Sequence, residues 1–242
     1  MRRSTVRLFA ALIVLGPLAI VAGLDAASDW PQFLGPTRDG SYAGPPLADS
    51  WGASGPRVVW RKQVGQGFAG PAIVGNRLIL FHRVGNEEVV ESLDASTGAS
   101  SWRYAYPTRY RDDFGWDEGP RAVPVVSDGV IYTFGAEGQL HAIDLAKGTR
   151  LWSEDTMKRF GVPKGFFGAG GSPLVEGGRL IANIGGDKAG LVAFDAKTGK
   201  VAWTATDDDA SYSSGVMATF GGVRSAVFLT RDHLIGVDPA TG

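Results

Sequence analysis

From Ala72 onward the chain is written in short runs of β-branched, aromatic and other apolar residues, each closed by a turn signal. The clearest stretch reads Val123 to Ser127, a turn at Asp128-Gly129, then Val130 to Phe134, and a turn at Ala136 to Gly138. Leu140 to Asp144, a turn at Ala146 to Gly148, and Thr149 to Trp152 complete it. Runs of this length bounded by Gly and Asp predict antiparallel strands joined by tight turns. The same grammar recurs over Ala72 to Trp102 and over Leu174 to Trp203. No helical periodicity is evident beyond the N-terminal segment, so the pattern predicts an all-β protein.

The runs carry a fixed frame. Asp94, Gly98 and Trp102 are spaced at offsets of four and eight residues, and Asp144, Gly148 and Trp152 repeat the spacing. So do Asp195, Gly199 and Trp203, and Asp238 with Gly242 opens a fourth copy. Self-similarity at a period near fifty residues is the mark of a solenoid or propeller. In each unit the Gly permits positive φ in the turn between third and fourth strands. The Asp can accept hydrogen bonds from turn N–H groups, and the Trp offers a large flat surface to a neighbouring unit. A small residue in each third strand, Ser92, Ala142, Ala193 or Gly236, leaves room for a bulky ring. Four short antiparallel strands per unit describe a propeller blade, in which radial closure protects the strand edges.

Asp-x-x-Thr-Gly-x-x-x-Trp resembles the tryptophan-docking motif of PQQ-type β-propellers. Asp94 to Gly98, Asp195 to Gly199 and Asp238 to Gly242 match it nearly in full, whereas Asp144 to Gly148 has Lys147 in place of Thr. The opening Trp30-Pro31-Gln32-Phe33-Leu34-Gly35-Pro36 is similar to the start of exported bacterial PQQ-like repeat proteins. The resemblance covers residues 30–242. It implies a β-propeller of four-stranded blades, with about four blades present of a seven- or eight-bladed ring. It also implies two kinds of role. One is that of the quinoprotein alcohol and glucose dehydrogenases, which use PQQ with Ca²⁺; the other is that of the non-catalytic propeller of the outer-membrane β-barrel assembly machinery. Trp60 lacks an Asp eight residues before it, so Val58-Val59-Trp60 reads as a lone fourth strand, of the kind that completes the last blade and closes the ring. The frame breaks off after Gly242, so the sequence reads as a propeller truncated at its C-terminal end.

The N-terminus adds a destination. Arg2, Arg3 and Arg7 precede a run from Leu8 to Leu24 that carries no charge, and Ala22, Gly23, Ala26 and Ala27 supply small residues for cleavage. This is the pattern of a secretory signal peptide. Residues 1–26 are therefore expected to be the signal peptide, 27–57 an N-terminal extension, and 58–242 the propeller domain. The expected location is periplasmic or extracellular, with no membrane span in the mature chain. Charge is balanced at 24 Lys and Arg against 25 Asp and Glu, which offers no nucleic-acid footprint. The chain has no Cys. That excludes disulfide stapling, a thiol nucleophile, a lipid-anchor Cys and a C-x-x-C-H haem attachment within these residues.

Candidate chemistry lies in the three longest connections, 104–120, 153–170 and 204–214, since propeller ligands bind where loops converge. From them Arg109, Arg111, Trp116, Lys164 and Tyr212 are candidates for gripping a carboxylated aromatic ligand. Against this, the charges of the first loop could neutralise one another, and the Phe166-Phe167 pair could simply pack. Asp207-Asp208-Asp209 lacks the spaced ligands of a Ca²⁺ loop. His82, His141 and His233 are far apart in sequence, and His141 is expected at a strand surface. No catalytic set or metal motif stands out. The expectation is an exported, non-catalytic propeller acting as a binding or assembly scaffold. Its partners would be a protein or peptide, or the remaining blades of the ring. The alternative is part of a PQQ- and Ca²⁺-dependent alcohol or sugar dehydrogenase.

Overall fold

A computed structural model describes residues 29–242; the expected signal peptide, residues 1–26, lies outside them. The described chain forms four antiparallel sheets, met in sequence order. The first holds β1 (Ala72–Val74), β2 (Arg77–Val84), β3 (Glu87–Asp94) and β4 (Ser100–Pro107). The second holds β5 (Val125–Ser127), β6 (Val130–Phe134), β7 (Gln139–Asp144) and β8 (Arg150–Asp155). A five-residue helix, α1 (Thr156–Phe160), follows, with Asp155 as its N-cap and Gly161 closing it in the left-handed region. The third sheet holds β9 (Leu174–Glu176), β10 (Arg179–Gly186), β11 (Ala189–Asp195) and β12 (Val201–Ala205). The fourth holds β13 (Val216–Phe220), β14 (Val223–Leu229) and β15 (Leu234–Val237). Each sheet is a meander, strand beside next strand, as expected for propeller blades.

Sheet faces pack on sheet faces. Phe81, Val90 and Ile79 of the first sheet meet Ile131 and Ile143 of the second. Tyr132, Leu140 and Ala142 meet Leu180, Val192 and Phe194 of the third. Ile181, Leu191 and Trp203 meet Ala226, Phe228 and Val237 of the fourth. The core is thus a series of layers between neighbouring sheets, which is why the inner strands read as nearly continuous apolar runs.

The docking frame ties these layers. The indole N–H of Trp102 donates to Leu145 O at 3.1 Å, Trp152 to Ala196 O at 2.9 Å, and Trp203 to Pro239 O at 3.1 Å. Each acceptor directly follows the Asp of the next unit. The ring covers that unit's Gly so closely that a Cβ at Gly148, Gly199 or Gly242 would come within 2.5 to 2.9 Å of it. All three glycines, with Gly98, have φ between 69° and 79°. The Asp carboxylates fold the turns: Asp195 Oδ1 accepts from Thr198 N at 2.9 Å and Thr198 Oγ1 at 2.8 Å, and Asp144 Oδ1 from Lys147 N at 2.8 Å.

A one-residue bulge precedes Trp102, Trp152 and Trp203. Asp94 N donates to Ala99 O, which would set Ser92 opposite Ser101; instead Ser92 pairs with Trp102. Ala142 pairs with Trp152 and Ala193 with Trp203 after the same shift. A slip of one residue moves a side chain to the opposite face. The bulge therefore turns Trp towards the neighbouring sheet, over the small residue of its own third strand.

Two readings from the pattern change. Residues 58–60 form no regular strand, yet Trp60 donates from its indole to Ala95 O at 2.9 Å and lies over Gly98. It docks on the first sheet as the later Trp residues dock on theirs. His141 is not at a surface: it is 3 % exposed, buried between the first two sheets. Tyr106 stacks on its ring at 4.0 Å, and Tyr104 Oη lies 2.9 Å from Nδ1, while Nε2 has no partner. Beside it Glu88, also buried, accepts from Tyr106 Oη at 2.7 Å and from Ala136 N at 2.8 Å, linking the two sheets. Burial, with Arg150 nearby, pulls the His141 imidazole down to about 4. Burial pushes the Glu88 carboxyl up, against the pull of its hydrogen bonds.

Substitution Gly199→Ala sets a methyl against Trp152 and strains the left-handed turn, so it should cost about 3 kcal/mol. Gly129→Ala has the same positive φ but open space around it, so it should cost only about 1 kcal/mol. Urea midpoints of the two variants test this, and equal costs would dismiss the docking contact. The second prediction concerns acid. His141 is held neutral when folded but takes up a proton near 6.5 when unfolded, so stability falls as pH drops from about 6.5 to 4. The loss from this site should reach about 3 kcal/mol by pH 4. Glu88 acts with the opposite sign but is common to wild type and His141→Gln. The stability difference between those two chains should therefore shift by that amount towards the variant between pH 7 and 4; parallel curves would contradict it.

Candidate functional site

Antiparallel order sends the docking turns to one end of each sheet and the connections between sheets to the other. Four segments converge there: residues 66–71, which lead into the first sheet, and the connections 108–124, 161–173 and 206–215. The second is fixed from beneath by Arg83, whose buried guanidinium donates to Tyr110 O at 2.7 Å and Glu118 O at 3.1 Å and pairs with Glu118 at 3.4 Å. Asp112 then folds the tip. Its Oδ2 accepts from Phe114 N at 3.2 Å and Trp116 N at 2.7 Å, while Oδ1 faces Arg121 Nη2 at 3.6 Å. This turn sends Phe114 and Trp116 outward.

The result is an aromatic platform drawn from several sheets. Trp116 stacks on Phe167 at 6.2 Å and 24°, Phe114 lies 5.6 Å from Phe167, and Phe167 lies 5.5 Å from Tyr212. Tyr212 Oη accepts from Phe167 N at 3.1 Å, locking the third loop to the fourth. Trp116 is 76 % exposed and Phe68 62 %. Arg121 lies over Tyr110 at 4.6 Å and over Phe68 at 5.8 Å. Beneath the platform is a cavity of about 650 Å³ whose wall includes Phe33, Phe68, Trp116, Phe167, Tyr212 and Val216.

The five candidate ligand-binding residues divide. Trp116 and Tyr212 share this cavity. Arg109, Arg111 and Lys164 border a separate groove of about 500 Å³, and Lys164 also meets Tyr212 at a smaller pocket of about 290 Å³. Two of these cations are engaged: Lys164 pairs with Asp113 at 2.6 Å and Arg111 with Glu118 at 3.2 Å. Asp207 and Asp208 turn to Lys188 N and to Thr230 with His233. Among the described residues no group of three His, Cys, Asp or Glu side chains is placed to hold a metal ion. The described residues gather no carboxylate set for a calcium ion, and two of the three candidate cations are already paired with carboxylates. Phe68, Arg83 and Arg121 were not singled out from sequence as parts of this site, and Phe167 was weighed as a packing residue. Only the convergence of loops after folding assigns them to it.

Comparison with known proteins follows the architecture. Residues 85–242 match the family model described as outer membrane protein assembly factor BamB. Quinohemoprotein alcohol dehydrogenase ADH-IIG of Pseudomonas putida is 32 % identical over 128 residues, covering 51 % of this chain and 17 % of that protein. Lupanine 17-hydroxylase [cytochrome c] of Pseudomonas sp is 30 % identical over 148 residues, covering 56 % of this chain and 20 % of that protein. This chain thus spans a fifth or less of the length of these relatives. Among solved structures, BamB from Moraxella catarrhalis aligns with a TM-score of 0.52 at 22 % identity, over 71 % of this chain and 48 % of that one. Quinohemoprotein alcohol dehydrogenase from Comamonas testosteroni aligns with a TM-score of 0.51 at 24 % identity, over 75 % and 28 %. Repeat frame, sheet order and family match agree: the chain belongs to the BamB-like family of PQQ-type propeller repeats.

Proposed function

We propose that this chain is part of an exported, non-catalytic propeller that holds an extended protein segment on its axial aromatic face. The observation that carries the reading is the platform of Phe68, Phe114, Trp116, Phe167 and Tyr212, exposed except for the half-buried Phe167, with all but Phe114 bordering the cavity. Exposed apolar clusters rimmed by polar groups mark interaction sites. Aromatic rings give large contact area at little cost in side-chain freedom, which suits an adaptable partner. The paired Arg and Lys side chains form the rim and give direction rather than most of the affinity. The N-terminal charge and hydropathy pattern supports export, and the remaining blades of the ring are a further partner. A part in a PQQ- and Ca²⁺-dependent dehydrogenase is a second reading, favoured by the identity to the alcohol dehydrogenases. The engaged cations and the lack of a gathered acid set among the described residues weigh against it.

The test is titration of the mature chain with a fluorescent twelve-residue peptide alternating aromatic and polar residues. Saturable binding is expected, weakened about tenfold by Trp116→Ala and little by Arg109→Ala. PQQ with CaCl₂ should not displace the peptide. Saturable binding of PQQ with calcium, together with indifference of the peptide to Trp116→Ala, would replace this reading with the dehydrogenase one.

A further inference from the structure

The segment before the first sheet is not a loose extension. Trp30 forms an antiparallel bridge with Ile73 at the free edge of β1, donating to Ile73 O at 2.8 Å and accepting from Ile73 N at 2.9 Å. Pro31 O accepts from Val126 N of β5 at 2.8 Å. Gly35, at φ 81°, packs against the Trp30 ring. Phe33 and Leu34 then border the 650 Å³ cavity.

Arg38 ends the path. It is 5 % exposed, and its guanidinium donates to Pro173 O before β9 and to Gly215 O before β13. Its Nε donates to Gln32 Oε1 at 2.9 Å, while Gln32 Nε2 donates to Pro36 O at 2.9 Å. Among the described residues no carboxylate lies within ion-pair distance of it. A buried cation held by carbonyls alone is a costly arrangement. Leu34 and Arg38 also sit at positive φ, 56° and 57°, where residues with a Cβ are strained. One short segment therefore pairs with the first two sheets, reaches the residues that lead into the other two, lines a wall of the platform's cavity, and is held by contacts that carry an internal penalty.

We propose that residues 29–40 are an internal occupant of the axial face, a strap latched by Arg38 whose release opens that face to an extended apolar peptide. The second half rests on the partner reading given above. The strap shows what the site accepts: a main chain that pairs with the inner strand edges, an aromatic-aliphatic pair at the cavity, and a forked cation reaching the third and fourth sheets. Edge pairing of an added strand supplies affinity and the pockets supply selectivity. A filled site lowers apparent affinity for any competitor by the fraction of open molecules.

The experiment uses the mature chain, its Arg38→Ala variant, and a labelled synthetic peptide with the sequence of residues 29–40. The peptide, which keeps its own Arg38, should bind the variant at least tenfold more tightly than wild type. In wild type, the amides of Ile73 and Val126 should exchange with solvent faster than those of Ile131 and Leu191, through an opening of the strap alone. Equal binding to both chains would overturn the proposal. So would Ile73 and Val126 amides that exchange only with global unfolding, which would make the strap a structural staple. If the variant does not fold, the exchange rates of wild type decide. Should the strap peptide behave as expected while the alternating aromatic peptide fails to bind, the strap stands and the partner reading falls.

Discussion

The structure depends on one contact made four times: a Trp ring laid over the glycine of the next unit's turn, with its indole N–H on the carbonyl after that unit's Asp. Apolar burial between sheets is non-directional and by itself would tolerate sliding. The docked indole fixes register, because it must meet a carbonyl and a bare Cα at once. The eight-residue frame, the bulge before Trp, the small residue opposite it and the positive φ at Gly are all consequences of that demand. Stability without disulfides is then a matter of repeated layers, each locked to the next.

Locking the sheets at the docking end leaves the other end free to vary. There the connections are long and carry the side chains that distinguish this chain from a generic repeat. Arg83 and Asp112 show how such a loop is made firm: a buried cation gathers carbonyls from below, and a carboxylate folds the tip. On that base Trp116 is exposed with its ring stacked on Phe167. The strap joins the two levels of organisation, pairing with strand edges like a blade element and lining the cavity like a ligand.

Architecture was legible in the sequence wherever one rule decided the outcome. Val130 to Phe134 and Ala72 to Val74 form strands over the residues that their turn signals predicted. The helix at Thr156 was missed because five residues show no period, and its signals are a single capping Asp and a closing Gly. Trp60 was read as a strand because it has no Asp eight residues before it, although its docking depends only on the sheet that follows. His141 misled for a different reason. It stands where Val192 and Ile235 stand in sister units, and the buried seam formed by Tyr104 and Tyr106 comes from another repeat. The candidate site was half legible. Aromatic and charged loop residues announced it, but Lys164 finds Asp113 across 51 residues and the place of Arg38 depends on contacts across more than a hundred. Such contacts leave no local pattern.

The most direct test of this account is a residue-resolved NMR titration of the mature chain with the alternating aromatic peptide. Shift changes are predicted at Phe68, at Phe114 and Trp116, at Phe167, and at Tyr212, with the docking turns at Thr97, Lys147 and Thr198 unmoved. Changes centred on those turns, at the opposite end of the sheets, would contradict the assignment of the axial aromatic face as the site of function.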